Sequence, residues 1–276
     1  MKKSKFLIIT FVLLVASLFS GCQLIDNGMV KLGFKNNDFE YIKENKINKI
    51  IIQSTRDAGF RFVVTDKNAV NDIYNILSSG KITEEKTDLD ADYIFDIYIG
   101  EDVKSYKYVV GFSEDDIGNF YDEENSYLIS KNLDDTIIDN LSFVRKPRDF
   151  QDIYYNSILE VLKDEKERLG DDNKVGVNIA GDVDCLKYVL SVNLEKFKKD
   201  LDSVISGTEL VNNNVENFDT IITVKNRGYT SKLFKTTITV DDKKNKVYET
   251  YYVQGTYEGK NWNIDIGEVN TKPDNW

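Results

Sequence analysis

The sequence predicts an α+β fold: two mainly antiparallel sheet-plus-helix modules behind a cleaved signal peptide. Three observations carry this. Apolar runs such as YIFDIYI and KTTITV alternate with the two-residue period of half-buried strands. These runs follow one another closely, joined by turn-type letters such as DDKKN and EGK, which favours antiparallel hairpins. Separate segments carry the helical period, the longest being DIYYNSILEVLKDEKERLG. Strands in series, with helices set apart, differ from the repeated βαβ units of a parallel sheet, which argues against a two-lobed solute-binding protein.

Taken in order, residues 1–21 read as an export signal. Lys2, Lys3 and Lys5 precede an apolar core from Phe6 to Phe19, and the small residues Ser20 and Gly21 precede Cys22. The core falls short of the ~20 residues that cross a bilayer as a helix. Residues 22–46 are polar and weakly periodic, as in KNNDFEYIKENK, and read as a membrane-proximal tether.

The N-terminal module is expected over residues 47–146. INKIIIQS and GFRFVV read as strands, and Thr65 or Asp66 caps a helix carrying Val70, Ile73, Tyr74 and Leu77, with Gly80 at its end. DYIFDIYIG, KSYKYVVGF and NSYLIS follow as strands, and LDDTIIDNL as a short helix. Pro147, one of two prolines, marks the boundary. The C-terminal module, 147–276, opens with the long helix, ended by Gly170. KVGVNIAG and CLKYVLSV are expected to pair as a hairpin across GDVD, a helix follows through NLEKFKKDLDSVI, and DTIITVK, KLFKTTITV, KVYETYYVQGTY and NWNIDIG form an antiparallel meander.

The residues Phe19, Ser20, Gly21 and Cys22 resemble the lipobox of bacterial lipoproteins. The resemblance implies cleavage between Gly21 and Cys22 and a covalent diacylglycerol on the Cys22 thiol, with an N-acyl chain as a further modification. One acyl chain binds a membrane marginally and two anchor it stably, so the implied location is the extracytoplasmic side of a cell membrane. The wealth of Lys, Asn, Ile and Asp is similar to that of proteins from AT-rich Gram-positive genomes. The strand pair IIIQS and FRFVVTD, the helix AVNDIYNIL and the strands YIFDIYI and YKYVV resemble the YhfM-like domain of small Gram-positive lipoproteins, a group whose resemblance implies no activity. The helices and Trp-x-Ile strand of the second half resemble cystatin-like or NTF2-like folds.

Composition excludes several functions. The net charge is −11, and loss of the signal lysines makes it more negative, so phosphate backbones repel the chain and nucleic acid is not an expected partner. There are two cysteines; with Cys22 lipidated, Cys185 stands alone, and neither an internal disulfide nor a cysteine metal cluster can form. Cys185 lies in apolar VDCLKYVL and reads as a small core residue. Histidine is absent, which removes Ser-His-Asp and Cys-His catalysis and histidine-ligated zinc.

Three surface candidates remain. SEDDIGNFYDEEN supplies Asp115, Asp116, Asp122 and Glu123 as candidate ligands for calcium, an oxygen-seeking ion, against a reading as solvated turn residues. DLDADY, with Asp88, Asp90 and Asp92, begins like an EF-hand loop, but Tyr93 stands where glycine is required. Tyr248, Tyr251, Tyr252, Tyr257 and Trp262 are candidates for a partner surface, against a reading as core and cross-strand pairs. Lys225, Arg227, Lys232 and Lys235 form a local basic patch that could meet anionic headgroups or wall polymers. The expected protein is a lipid-anchored surface component without catalytic residues or cofactor, contacting the membrane and an envelope protein or wall polymer. A ligand or calcium sensor, or a carboxylate-based wall hydrolase, is the alternative.

Overall fold

The computed structural model describes residues 35–43, 47–134, 146–170, 172–274 and 276. The signal segment with Gly21 and Cys22, and all but the first two residues of the helix expected over LDDTIIDNL, lie outside them. The fold is α+β, and most strand pairs are antiparallel.

In the N-terminal part, β1 (Ile47–Ser54) and β2 (Arg61–Val64) form a hairpin, with Ile51 opposite Val63 and Ile52 opposite Phe62. β1 carries the continuous buried run Ile50 to Ile52 of an inner strand, and β2, at the edge of the sheet, alternates between exposed and half-buried residues. Between β2 and the next strands, α1 (Lys67–Ser78) is capped by Asp66, whose Oδ1 accepts the N–H groups of Asn68 and Ala69 at 3.0 Å. Its stripe of Ile73, Tyr74 and Leu77 is buried. Next come β3 (Lys81–Thr83), β4 (Glu85–Lys86), β5 (Tyr93–Ile99), β6 (Asp102–Tyr108), β7 (Ile117–Gly118), β8 (Phe120–Tyr121) and β9 (Ser126–Leu128). Seven of these strands make one sheet in the order β2-β1-β5-β6-β8-β9-β3, while β4 and β7 pair in parallel beside it.

One expectation is corrected at the start of this module. Residues 35–43, read as part of the tether, are docked: Phe39 is 0% and Ile42 2% exposed, within the core that holds Ile50, Phe95, Tyr108 and Phe120. Asn36 ties the segment to the end of α1 by donating to the carbonyls of Leu77 and Gly80. Two apolar side chains in a polar stretch give no periodicity to read, and only a preformed core can bury them.

The C-terminal part opens with α2 (Phe150–Leu169), ended as expected at Gly170, whose φ is 66°. It crosses one face of a six-stranded sheet made of β10 (Val175–Asn178), β11 (Glu209–Leu210), β12 (Thr220–Tyr229), β13 (Leu233–Asp242), β14 (Val247–Glu258) and β15 (Asn261–Ile266), in the order β11-β10-β12-β13-β14-β15. The meander over the last four strands is as expected. The hairpin across GDVD is not: β10 pairs in parallel with β12 and β11, and CLKYVLSV is no strand. Residues Val183–Leu186 form the short helix α3, and Ser191–Val204 form α4. Cys185 is buried in α3, and Tyr188 and Val189 in the turn after it, where their N–H groups donate to the carbonyls of Cys185 and Leu186, so the chain here folds back on itself where a strand would extend.

The two parts meet through α4. Val192 packs on a small cluster of Val109, Phe112 and Tyr121 with Leu89 and Ile117, all from the N-terminal part.

Candidate functional site

The junction is organised by a buried carboxylate. Asp92, last of the DLDAD acids, immediately precedes β5, and its side chain is 1% exposed. Oδ1 accepts from Arg56 Nη1 at 2.6 Å and from the Ser191 N–H at 2.8 Å, and Oδ2 accepts from the Val110 N–H at 2.9 Å. Ser191, the first residue of α4, also donates its hydroxyl to the Asp90 carbonyl at 2.6 Å and accepts from Arg56 Nη2. A helix N-terminus favours a negative charge, so the position of Asp92 is electrostatically matched. Burial pushes the Asp92 carboxyl up, against the Arg56 guanidinium and the two backbone donors, which pull it down.

On each side of Arg56 and Asp90 lies a recess. The first, of about 730 Å³, is walled by Leu186, Val189 and Leu194, by Ile179 and Ala180, and by residues 207–212 around β11. Its charged groups are Arg56, Lys198, Asp90, Asp202 and Glu209. The second, of about 590 Å³, is more polar and includes Thr55, Lys86, Asp88, Lys107 and Tyr121. Ligand clefts have volumes of about 300–1,000 Å³, with apolar walls and a few placed polar groups, and the first recess has that character.

The acids expected to bind an ion do not converge. Asp115 and Asp116 lie in one turn, Asp122 and Glu123 in another, with β7 and β8 between them. Asp116 is ion-paired to Lys81. Asp122 Oδ1 is occupied as a turn cap, accepting the N–H groups of Glu124 at 2.9 Å and Asn125 at 2.7 Å. Among the described residues, no group of three or more His, Cys, Asp or Glu is placed to hold a metal.

The aromatic candidates are divided, because alternation along β14 sends neighbours to opposite faces. Tyr251 is 5% exposed and donates to Glu165 of α2. Tyr257 donates to Asp149 at 3.0 Å, and Trp262 Nε1 donates to the Arg148 carbonyl at 2.7 Å, so both are bound to the start of α2. Tyr252 faces the other way, edge-on to Trp276 at 5.2 Å, and Tyr248 is 67% exposed. The five therefore do not form one partner surface. In the basic patch, Arg227 Nε donates to Thr237 Oγ1 and Lys235 lies 5.6 Å from the Trp276 ring centre. Cys185 is fully buried and burial pushes its thiol up, as a core residue requires.

Sequence reasoning missed Arg56, Ser191, Asp202 and Glu209. Their one signal was Asp92, noted as part of an acidic loop, and its partners stand 36 and 99 residues away.

Fold and junction together define a two-part α+β protein with a cleft beside the contact. Residues 43–147 match the family described as YhfM protein, so this part of the chain is similar to that family. No curated protein and no solved structure matches the chain.

Proposed function

We propose that this protein is a lipid-anchored extracytoplasmic component that acts by binding and not by catalysis, and that its ligand enters the recess of about 730 Å³ at the junction. The observation that carries the reading is the character of that recess: an apolar wall with a few charged groups, built where Asp92, Arg56 and Ser191 bind the two parts together. Binding sites sit preferentially at such junctions. Support for the anchor comes from the Phe19–Cys22 lipobox, whose acyl chains on Cys22 would hold the cleft close to the envelope. An envelope protein or wall polymer is then the accessible partner.

The cleft is tested with p-benzoylphenylalanine in place of Lys198, which is exposed in the recess, compared with the same group at Tyr248, on the outer face of β14. Irradiation of intact cells is expected to give a discrete adduct from position 198 and none from 248. Equal labelling at both positions, or none at 198, overturns the reading.

A further inference from the structure

The recess contains the open edge of the six-stranded sheet. β11 is bonded to β10 on one side and has no strand on the other among the described residues. The Val211 N–H donates to the Val177 carbonyl at 2.9 Å, which turns Val211 toward β10. By the alternation of a strand, the N–H and C=O of Leu210 then point to the open side. Alongside this edge lies α4, which packs against β11 and lines the recess with Leu194, Lys198 and Asp202 at intervals of four, along one helical face.

A trough along an open strand edge, flanked by a helix, takes an extended chain: main-chain groups pair with the edge, and alternate side chains enter the trough. Its charge selects among such chains. Arg56 is committed to Asp92, and Lys198 to Glu195. Asp90, Asp202 and Glu209 have no ion-pair partner among the described residues, so the trough has an excess of negative charge. We infer that the cleft receives an extended polypeptide segment bearing a basic side chain, added as a strand to the edge at Leu210 and flanked by α4. This rests on the reading of the recess as a ligand site and names the chemistry of the ligand.

The probe is a fluorescein-labelled, acetylated Val-Lys-Val-Lys-Val peptide, titrated by anisotropy into the full-length protein in detergent. Two controls accompany it: the same peptide with Glu for Lys, and the Lys peptide N-methylated at alternate residues, which keeps the side chains and removes main-chain donors. Saturable binding is expected for the first, weakened about tenfold or more in each control. The Asp202→Asn, Glu209→Gln double variant changes two exposed side chains, and is expected to weaken the Lys peptide at least about fivefold while its circular dichroism is unchanged. Hydrogen exchange is expected to slow at the Leu210 amide when the peptide is bound. Binding of the Glu peptide as tightly as the Lys peptide, indifference to N-methylation, an unprotected Leu210 amide or absence of saturable binding each overturns the inference. A non-peptide adduct captured from position 198 on cells would leave the cleft as a ligand site and sink the peptide; no cleft adduct together with no peptide binding would remove both.

Discussion

A carboxylate whose side chain is 1% exposed persists only if its oxygens are satisfied, and Asp92 is held by Arg56, Ser191 and Val110. Removing one partner of a buried pair strands the other charge. Arg56→Met is therefore expected to lower the urea-derived stability by about 3 kcal/mol, and the Arg56→Met, Asp92→Asn double variant by less than the sum of the single changes. A single-variant loss under about 0.5 kcal/mol would show that the pair is solvated, as surface pairs are. Asp242 is the second buried acid with a testable titration. Burial raises its carboxyl, but the backbone and side chain of Asn245 and the Arg168 guanidinium outweigh this and hold it below the ordinary range. A depressed folded-state value stabilises the fold above the unfolded carboxyl pKa of about 3.9 and is lost as pH falls through the lower value. Asp242→Asn should thus be less stable at neutral pH and show a shallower loss below about pH 4; urea midpoints across that range that fall in parallel with the parent would refute it. None of this was legible locally, because Asp92 and Asp242 look in sequence like the solvated acids around them.

At the scale of elements, the seat of α2 on the sheet depends on a missing side chain. A Cβ at Gly255 of β14 would stand 2.3 Å from Ile153 Cδ1 and 3.2 Å from the Trp262 ring, so the helix lies where only glycine leaves room. Gly255→Ala is expected to cost about 1–3 kcal/mol through overpacking, and Ile153→Val on the same chain to recover part of it. A thermal melt of Gly255→Ala unchanged from the parent would mean the helix moves away freely. The long strands β12 to β15 and the helices α1 and α2 were readable because one alternation or one apolar stripe runs their whole length. The two-residue strands β4, β7, β8 and β11 were not, since two residues define no period, and they exist by pairing with distant chain. The segment 183–190 was misread for a related reason: its apolar letters fit both periods until a core selects a face.

For the whole molecule, the decisive expectation is attachment. If Cys22 carries the acyl chains, Cys22→Ala should shift the protein out of the lipid-modified form, seen as lost incorporation of a clickable fatty acid and a changed gel mobility of the membrane fraction. Retained fatty-acid labelling in that variant would refute lipidation at Cys22. The cleft depends on the same scale, because its walls come from α3, α4, β11 and the Asp90 loop, which span well over a hundred residues of chain.

What the sequence determined by itself was the α+β class, the longer elements, the candidate anchor and the exclusion of histidine chemistry, all of which depend on composition or on patterns within a few turns of chain. Tertiary structure alone decided which acid is buried, which tyrosines share a face, and that a sheet edge opens into the junction. Burial and long-range pairing are properties of residues far apart in sequence, and the local pattern does not contain them.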